Sequence, residues 1–234
     1  VSTATDVAKS AAGMVLTTPG LGGIVAAVKE GRVTFQRILT YTLNSLTKKI
    51  VQVLFLAVGL IMTGQAILTP LLMVLIMITG DFLGMSLTTD KVRGSPKPNA
   101  WQIGHLTVAG LVMGLGELIF CSAVLVFGAR RMHYDIGQLR TLAFVVIVFG
   151  NQATTYNNRE RRRLWASRPS MWLAASSVLD IAIASTLAVA GIAMAPLPLW
   201  LVAATLASAV VFALLLDLIK VPVFGRLGFA PHSR

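Results

Sequence analysis

The sequence has 234 residues and a net charge of +11, yet only 12% of it is charged and 56% is hydrophobic. This combination excludes a disordered basic tail, which has few apolar residues, and an ordinary soluble domain. Long apolar stretches separated by short clusters of Lys and Arg are typical of a polytopic membrane protein. Because the basic residues lie in small clusters between apolar runs, we expect the lipid bilayer as a partner and no nucleic acid.

The apolar stretches predict an all-α polytopic membrane protein with a bundle of six transmembrane helices, since about 20 apolar residues cross a bilayer. Gly64, Gln65 and Pro70 divide the first long stretch, and residues 195–198 divide the last. The fourth run is short, and a buried or re-entrant segment is an alternative for it. The predicted spans are residues 50–63, 66–87, 106–128, 141–156, 171–193 and 197–219.

Lys and Arg are distributed unequally between the two sides of this six-span arrangement. Seventeen of the 20 lie in the two ends and the even loops, and the other three are Arg130, Arg131 and Arg140. Basic residues are retained in the cytoplasm. We therefore expect both ends of the sequence, including the tail of residues 221–234, to be cytoplasmic.

The first 49 residues have a different pattern. Thr5 is a good N-cap for a short helix over residues 6–12, and Met14–Leu16 is expected to be a buried strand. From Gly22 apolar and charged residues alternate with no breaker before the first span, which predicts a stalk helix over residues 22–49 continuous with the membrane helix. An amphipathic helix lying on the membrane surface is the alternative.

Three segments of this region have recognisable sequences: residues 5–12 (TDVAKSAA), 15–21 (VLTTPGL) and 31–38 (GRVTFQRI). They resemble the end of the phosphorylation domain and the stalk helix of the P-type ATPases, although Gly13 stands where an acid is usual in that family. Residues 90–92 (DKV), the SPKP segment from Ser95 and Trp101 resemble the plasma-membrane proton-pumping class. The resemblance implies that residues 1–21 end an α/β phosphorylation domain and that the six spans are the last six of ten.

The resemblance also implies an ATP-driven proton exporter of the plasma (cytoplasmic) membrane that works through a phosphoenzyme. The family's phosphorylated Asp lies in an Asp-Lys-Thr-Gly-Thr motif, whereas Asp90 and Lys91 are followed by Val92 and Arg93. We expect no catalytic residue in this chain and no ATP hydrolysis by it alone. ATP and Mg²⁺ are expected in the full-length protein, and a missing N-terminal part of the same polypeptide is the expected partner. The sequence is therefore interpreted as a piece of a longer protein.

Acidic residues inside the predicted spans are the candidates for ion binding, because placing a carboxylate in a bilayer costs on the order of 3 kcal/mol. The resemblance maps the proton-binding carboxylate onto Asp81, with a structural hydrogen bond as the alternative. Glu117 is a candidate for transport or for an interhelical hydrogen bond. Asp180 is expected to be structural. Asp217 is expected to pair with Lys220 or to extend to the interface.

Uncharged and basic residues complete the predicted site. Lys49 is a candidate positive partner of the acid, with a topology anchor as the alternative for both Lys48 and Lys49. Asn151 and Gln152 are candidate oxygen ligands or the polar end of a span. Calcium requires about 6–8 oxygen ligands, whereas a proton requires one acid whose affinity can change. We therefore predict protons as the transported ion and no metal site.

Two other functions are compatible with the sequence. One is a P-type pump for another cation, such as Mg²⁺ or Ca²⁺. The other is a non-catalytic membrane scaffold or channel subunit.

Overall fold

The protein is described by a computed structural model covering residues 4–16, 22–92, 94–95 and 101–227. Six helices in these ranges, α2 to α7, are long and apolar enough to cross a membrane. The prediction of an all-α six-helix membrane bundle is confirmed. The α-helices are α1 (Asp6–Ala11), α2 (Gly22–Thr63), α3 (Pro70–Ser86), α4 (Ile103–Arg131), α5 (Ile136–Arg159), α6 (Met171–Ala190) and α7 (Leu199–Arg226).

The ends of the membrane helices follow local sequence signals. Thr69, Asp135 and Ser170 are the N-caps of α3, α5 and α6, and each side chain accepts a hydrogen bond from a backbone N–H in the first helical turn. Helix α6 ends at Gly191, which has a φ of 68°. This left-handed conformation favours glycine and terminates the helix.

Helix α2 is the longest element and continues without interruption across the predicted junction between stalk and membrane. Its 42 residues correspond to a length of about 63 Å at 1.5 Å per residue. A bilayer core is only about 30 Å thick, so roughly half of α2 extends beyond it. We call the end of the bundle from which α2 projects the stalk end.

Helix α5 forms the centre of the bundle. It packs against α2, α3, α4, α6 and α7, and its residues 141–155 are all buried. Residues 142–149 of α5 are apolar, whereas the part that follows carries amides and threonines that remain inside the protein. At 24 residues α5 is long enough to span, so the structure gives no support to a short re-entrant fourth segment.

Small residues allow α4 to approach α2 closely. A Cβ atom added at Gly110 would lie 2.8 Å from Leu46, and one added at Gly114 would lie 3.2 Å from Ile50. This spacing of four residues is the small-residue pattern of close membrane-helix packing. Glu117, about one turn after Gly114, is thereby held near α2.

A buried ion pair joins three helices at the stalk end. The Arg159 Nε at the end of α5 donates to Asp90 Oδ2 at 2.5 Å, and the backbone N–H of Ser170 donates to Asp90 Oδ1 at 2.9 Å. Asp90 follows α3, and Ser170 caps α6. Arg37 on the stalk donates to the Asp90 carbonyl at 3.2 Å, which connects the group to α2. We call Asp90, Arg159 and Ser170 the stalk-end hub.

The N-terminal region differs from the prediction in one respect. Helix α1 forms with the Thr5 cap as expected, but Met14–Leu16 is not a strand, and Met14 and Val15 are exposed. A strand requires a partner strand for its hydrogen bonds, and the ranges that the structure describes provide none. Residues 17–21 and 96–100, Arg93 and the tail from residue 228 lie outside the described residues, so the parts of the family resemblance and of the tail that fall there have no structural counterpart.

Candidate functional site

A cavity of about 290 Å³ lies between α2, α3 and α5 in the membrane bundle. Both apolar and polar residues line it. The polar lining includes the amides of Asn44 and Asn151, the ammonium groups of Lys48 and Lys49, and the Asp81 carboxylate. The structure therefore brings three of the predicted site residues, Asp81, Lys49 and Asn151, to one cavity.

Lys48 makes a direct hydrogen bond between α2 and α3. Its Nζ donates a hydrogen bond to the Gly80 carbonyl at 3.1 Å. Gly80 is the eleventh residue of α3, so it lies about 15 Å from the start of a helix that must cross a core of about 30 Å. Lys48 itself lies 15 residues, or about 22 Å, before the end of α2 at Thr63, so it is inside the membrane part of the helix and deeper than a span beginning at residue 50 would place it.

Asp81 directly follows the residue that binds Lys48. Its side chain is exposed on the wall of the cavity, as is that of Lys49. Lys48 is close enough to Asp81, Glu117 and Asp180 for each carboxylate to attract its charge when ionised. This lysine is thus the common electrostatic partner of the three acids.

Glu117 is completely buried between α4 and α5. Thr154 Oγ1 donates to Glu117 Oε2 at 2.8 Å, whereas Oε1 has no hydrogen-bond partner among the described residues. A Cβ added at Gly150 would lie 3.1 Å from Oε1, so the absence of a side chain there makes room for the carboxylate. The interhelical hydrogen bond considered for Glu117 is present, and a role in transport stays a prediction.

Asn151 and Gln152 are in the interior of α5, not at a polar helix end. The helix continues to Arg159, and the two side chains point to different neighbours. Asn151 lines the cavity, and its Oδ1 is buried without a hydrogen-bond partner in the described structure. Gln152 Nε2 donates to Asp180 Oδ2 on α6 at 2.5 Å. Binding of an ion by either amide stays a prediction.

Asp217 forms an ion pair inside the protein and does not extend to the interface. Its Oδ1 lies 2.7 Å from Lys220 Nζ, and both side chains are almost fully buried. Arg163 approaches the same carboxylate at 3.4 Å, and the backbone N–H of Leu164 donates to it at 3.0 Å. This acid anchors the connection between α5 and α6 to α7.

The sequence interpretation did not single out three features of the site. These are the Lys48 contact with Gly80, the pairing of Asp180 with Gln152, and the stalk-end hub. Two adjacent lysines directly before an apolar run on one continuous helix were a usable signal for the first. The other two depend on which faces of distant helices meet, and no local pattern encodes that. No group of three or more His, Cys, Asp or Glu side chains arranged to hold a metal ion occurs among the residues that the structure describes.

Comparison with known proteins provides a relative but no family assignment. No family model matches the chain. The chain is 29% identical, over 198 residues or 84% of its length, to a protein of Methanocaldococcus jannaschii named "Putative cation-transporting ATPase". It spans about a quarter of the length of that relative. The six apolar helices and this similarity indicate an integral membrane protein that resembles the membrane domain of a cation pump.

Proposed function

We propose that this chain is the membrane-spanning part of an ATP-driven proton pump of the P-type, in which Asp81 carries the proton and Lys48 is its positive partner. The observation that carries the proposal is the bond from Lys48 to the Gly80 carbonyl, next to Asp81, on the wall of a cavity between membrane helices. The similarity to a cation-transporting ATPase supports the class of pump. The proton as cargo is supported by the single carboxylate that α2 and α3 contribute to this cavity.

The arrangement supplies a means of alternating proton affinity. A protonated Asp81 is neutral and compatible with an apolar surrounding, whereas a nearby ammonium group stabilises the ionised carboxylate. Lys48 is bound to the backbone of the neighbouring residue, so rotation of its flexible side chain can bring its charge to Asp81. Approach of Lys48 would release the proton, and its return to the Gly80 carbonyl would allow Asp81 to bind another.

Helix α2 links this event to the rest of the polypeptide. Lys48 lies on the same uninterrupted helix as the stalk, so a displacement of the stalk moves the lysine relative to α3. We assign ATP and Mg²⁺ binding, and phosphorylation, to the part of the full-length protein outside this chain. In this scheme the pump exports protons across the plasma membrane.

A pump for another cation is the second candidate, and one observation favours it. Asn151 Oδ1 is buried in the same cavity without a hydrogen-bond partner in the described structure, and neutral amide oxygens are ligands for Mg²⁺ or Ca²⁺. Proton export remains the preferred proposal because the ammonium group of Lys48 would repel a divalent ion at this position.

The test is transport by the full-length protein in reconstituted vesicles. Asp81→Asn keeps the size of the side chain but cannot ionise, so it should still bind ATP while ATP-driven acidification is lost. Asp6→Asn, which changes an exposed acid on α1, is the matched control and should pump like the wild type. Acidification by Asp81→Asn at the wild-type rate would reject Asp81 as the carrier, and wild-type transport of Mg²⁺ or Ca²⁺ without proton export would favour the second candidate.

A further inference from the structure

We propose that Asp180, paired with Gln152, is a second proton-binding carboxylate of the pump, and this inference rests on the proposed proton export. Asp180 lies on α6, away from the residues that line the cavity beside Asp81. It is the tenth residue of α6, about 14 Å from the start of that helix and therefore near the middle of the membrane.

The pair is buried and incompletely hydrogen bonded. The exposed fraction is 5% for Asp180 and 6% for Gln152. Gln152 Nε2 donates to Asp180 Oδ2, but the other two oxygens, Gln152 Oε1 and Asp180 Oδ1, are buried with no hydrogen-bond partner in the described structure. Buried oxygens of this kind are rare in proteins because each loses its bond to water without a replacement.

A proton on Asp180 satisfies both oxygens. An ionised carboxylate only accepts hydrogen bonds, so it cannot supply the donor that the amide oxygen lacks. A carboxylic acid can donate its O–H to Gln152 Oε1 while Gln152 Nε2 donates to the other carboxyl oxygen, once the two planar groups are aligned. This reciprocal acid and amide pair leaves no unpartnered atom and carries no net charge, which suits a site near mid-membrane.

The groups around Asp180 connect it to the first site. The Thr79 side chain of α3 lies beside Asp180, with its hydroxyl donating to the Ile76 carbonyl at 3.3 Å, and Thr79 directly precedes the residue that binds Lys48. Lys48 is the charged group of α2 that interacts with Asp180.

The other titratable groups near α6 are already engaged or belong to the first site. On α5, Tyr156 donates to Ser177 of α6 at 3.0 Å. On α7, Asp217 is paired with Lys220. Asp90, after α3, is paired with Arg159, and Asp81 on α3 shares the attraction of Lys48. Movement of Lys48 therefore changes the stability of the ionised form at both carboxylates, so that one displacement of α2 can release two protons.

Infrared spectroscopy of the full-length protein in lipid tests for the proton directly, without requiring transport. The wild type should show a carboxylic-acid C=O band that Asp180→Asn removes. Gln152→Leu should shift the same band to higher frequency, because the C=O group loses its hydrogen bond to the amide. Asp217→Asn is the matched control, since that buried acid is ion paired and should contribute no such band. Identical spectra for wild type and Asp180→Asn across the neutral pH range would overturn the proposal.

Transport stoichiometry then tests the carrier role. Asp180→Asn should still acidify vesicles, but with about half the wild-type number of protons per ATP, because one of two binding carboxylates is lost. An unchanged ratio would overturn the assignment of Asp180 as a carrier even if its infrared band is present. Rejection of the Asp81 proposal is a separate result. It would be seen as acidification by Asp81→Asn at the wild-type rate, and it would leave the infrared band of Asp180 unchanged.

Discussion

Removing the carboxylate of the stalk-end hub is expected to destabilise the joint between the stalk and the bundle. Asp90 and Arg159 have side chains that are each only 2% exposed, and they form a direct ion pair. Asp90→Ala leaves the Arg159 guanidinium charged, buried and without this partner, although Ser167 still accepts hydrogen bonds from it at 3.1 and 3.2 Å. Breaking a buried pair by removing one member typically costs about 3–5 kcal/mol.

The loss extends beyond the ion pair. The backbone N–H of Ser170, at the start of α6, also loses its acceptor, which adds a desolvation cost of about 1–3 kcal/mol. Because the residual Ser167 contacts offset part of this, we expect a net loss of about 3 kcal/mol. Each 1.4 kcal/mol is a tenfold change in an equilibrium constant, so local opening of the hub should increase by about 100-fold.

Hydrogen exchange measured by mass spectrometry on the purified full-length protein is the appropriate assay. Amides at the ends of α3 and α5 and at the start of α6 should exchange about 100-fold faster in Asp90→Ala, because exchange of protected amides follows local opening. Asp6→Asn is the control, since its ion pair with Lys9 is formed by an Asp side chain that is 99% exposed and is expected to contribute less than about 1 kcal/mol.

A double variant distinguishes the effect of an unpaired buried charge from a general loss of structure. Asp90→Asn with Arg159→Met removes both charges and should recover most of the lost protection, since apolar replacement of a buried pair is often neutral. Exchange in Asp90→Ala within about threefold of the wild type would refute the reasoning, because it would limit the contribution of the pair to under about 1 kcal/mol.

Two further predictions concern orientation and coupling. Cysteines placed at Gln65 and Pro196, which are both exposed, should react with an impermeant thiol reagent added outside the cell, whereas a cysteine at Lys91 should not. The native Cys121 is buried and should not react. Labelling at Lys91 from outside would reverse the six-span orientation. Insertion of Gly-Gly after Thr40 in the full-length protein should permit phosphorylation by ATP but reduce the number of ions moved per ATP. Each Gly costs about 1 kcal/mol in a helix, and two residues turn the stalk by about 200° relative to Lys48. A wild-type number of ions per ATP would show that α2 does not couple phosphorylation to transport.

The helices of this protein could be predicted from sequence because each depends on local information. The N-cap at Thr5, the breaks at Gly64 and around Pro196, and the apolar runs themselves are properties of neighbouring residues. The strand predicted at Met14–Leu16 was wrong because a strand depends on a partner elsewhere in the chain. Apolar composition alone cannot distinguish a segment with such a partner from an exposed coil.

Contacts within the site could not be predicted because they depend on helix rotation and depth. Gln152 and Asp180 are 28 residues apart, and Asp90 and Arg159 are 69 apart, so neither pairing follows from a spacing rule. The same limit affected α5, whose amides indicate the end of a span when the chain is read as a linear pattern. In the bundle those amides face other helices and not lipid, and the helix continues past them to Arg159.

The depth of Lys48 connects these observations to the proposed mechanism. A Lys at a membrane boundary extends its ammonium group to water and needs no protein partner. A Lys inside the membrane core must instead satisfy its charge internally, and Lys48 does so with the Gly80 carbonyl, while three nearby acids attract it whenever they are ionised. The carbonyl is a weaker partner for an ammonium group than an ionised acid, so the observed contact is one that a nearby carboxylate can displace as soon as it loses its proton. The same lysine is carried by α2, the longest helix of the described ranges, so the proposed mechanism places the charge that controls proton release on the element that extends farthest from the bilayer at the stalk end.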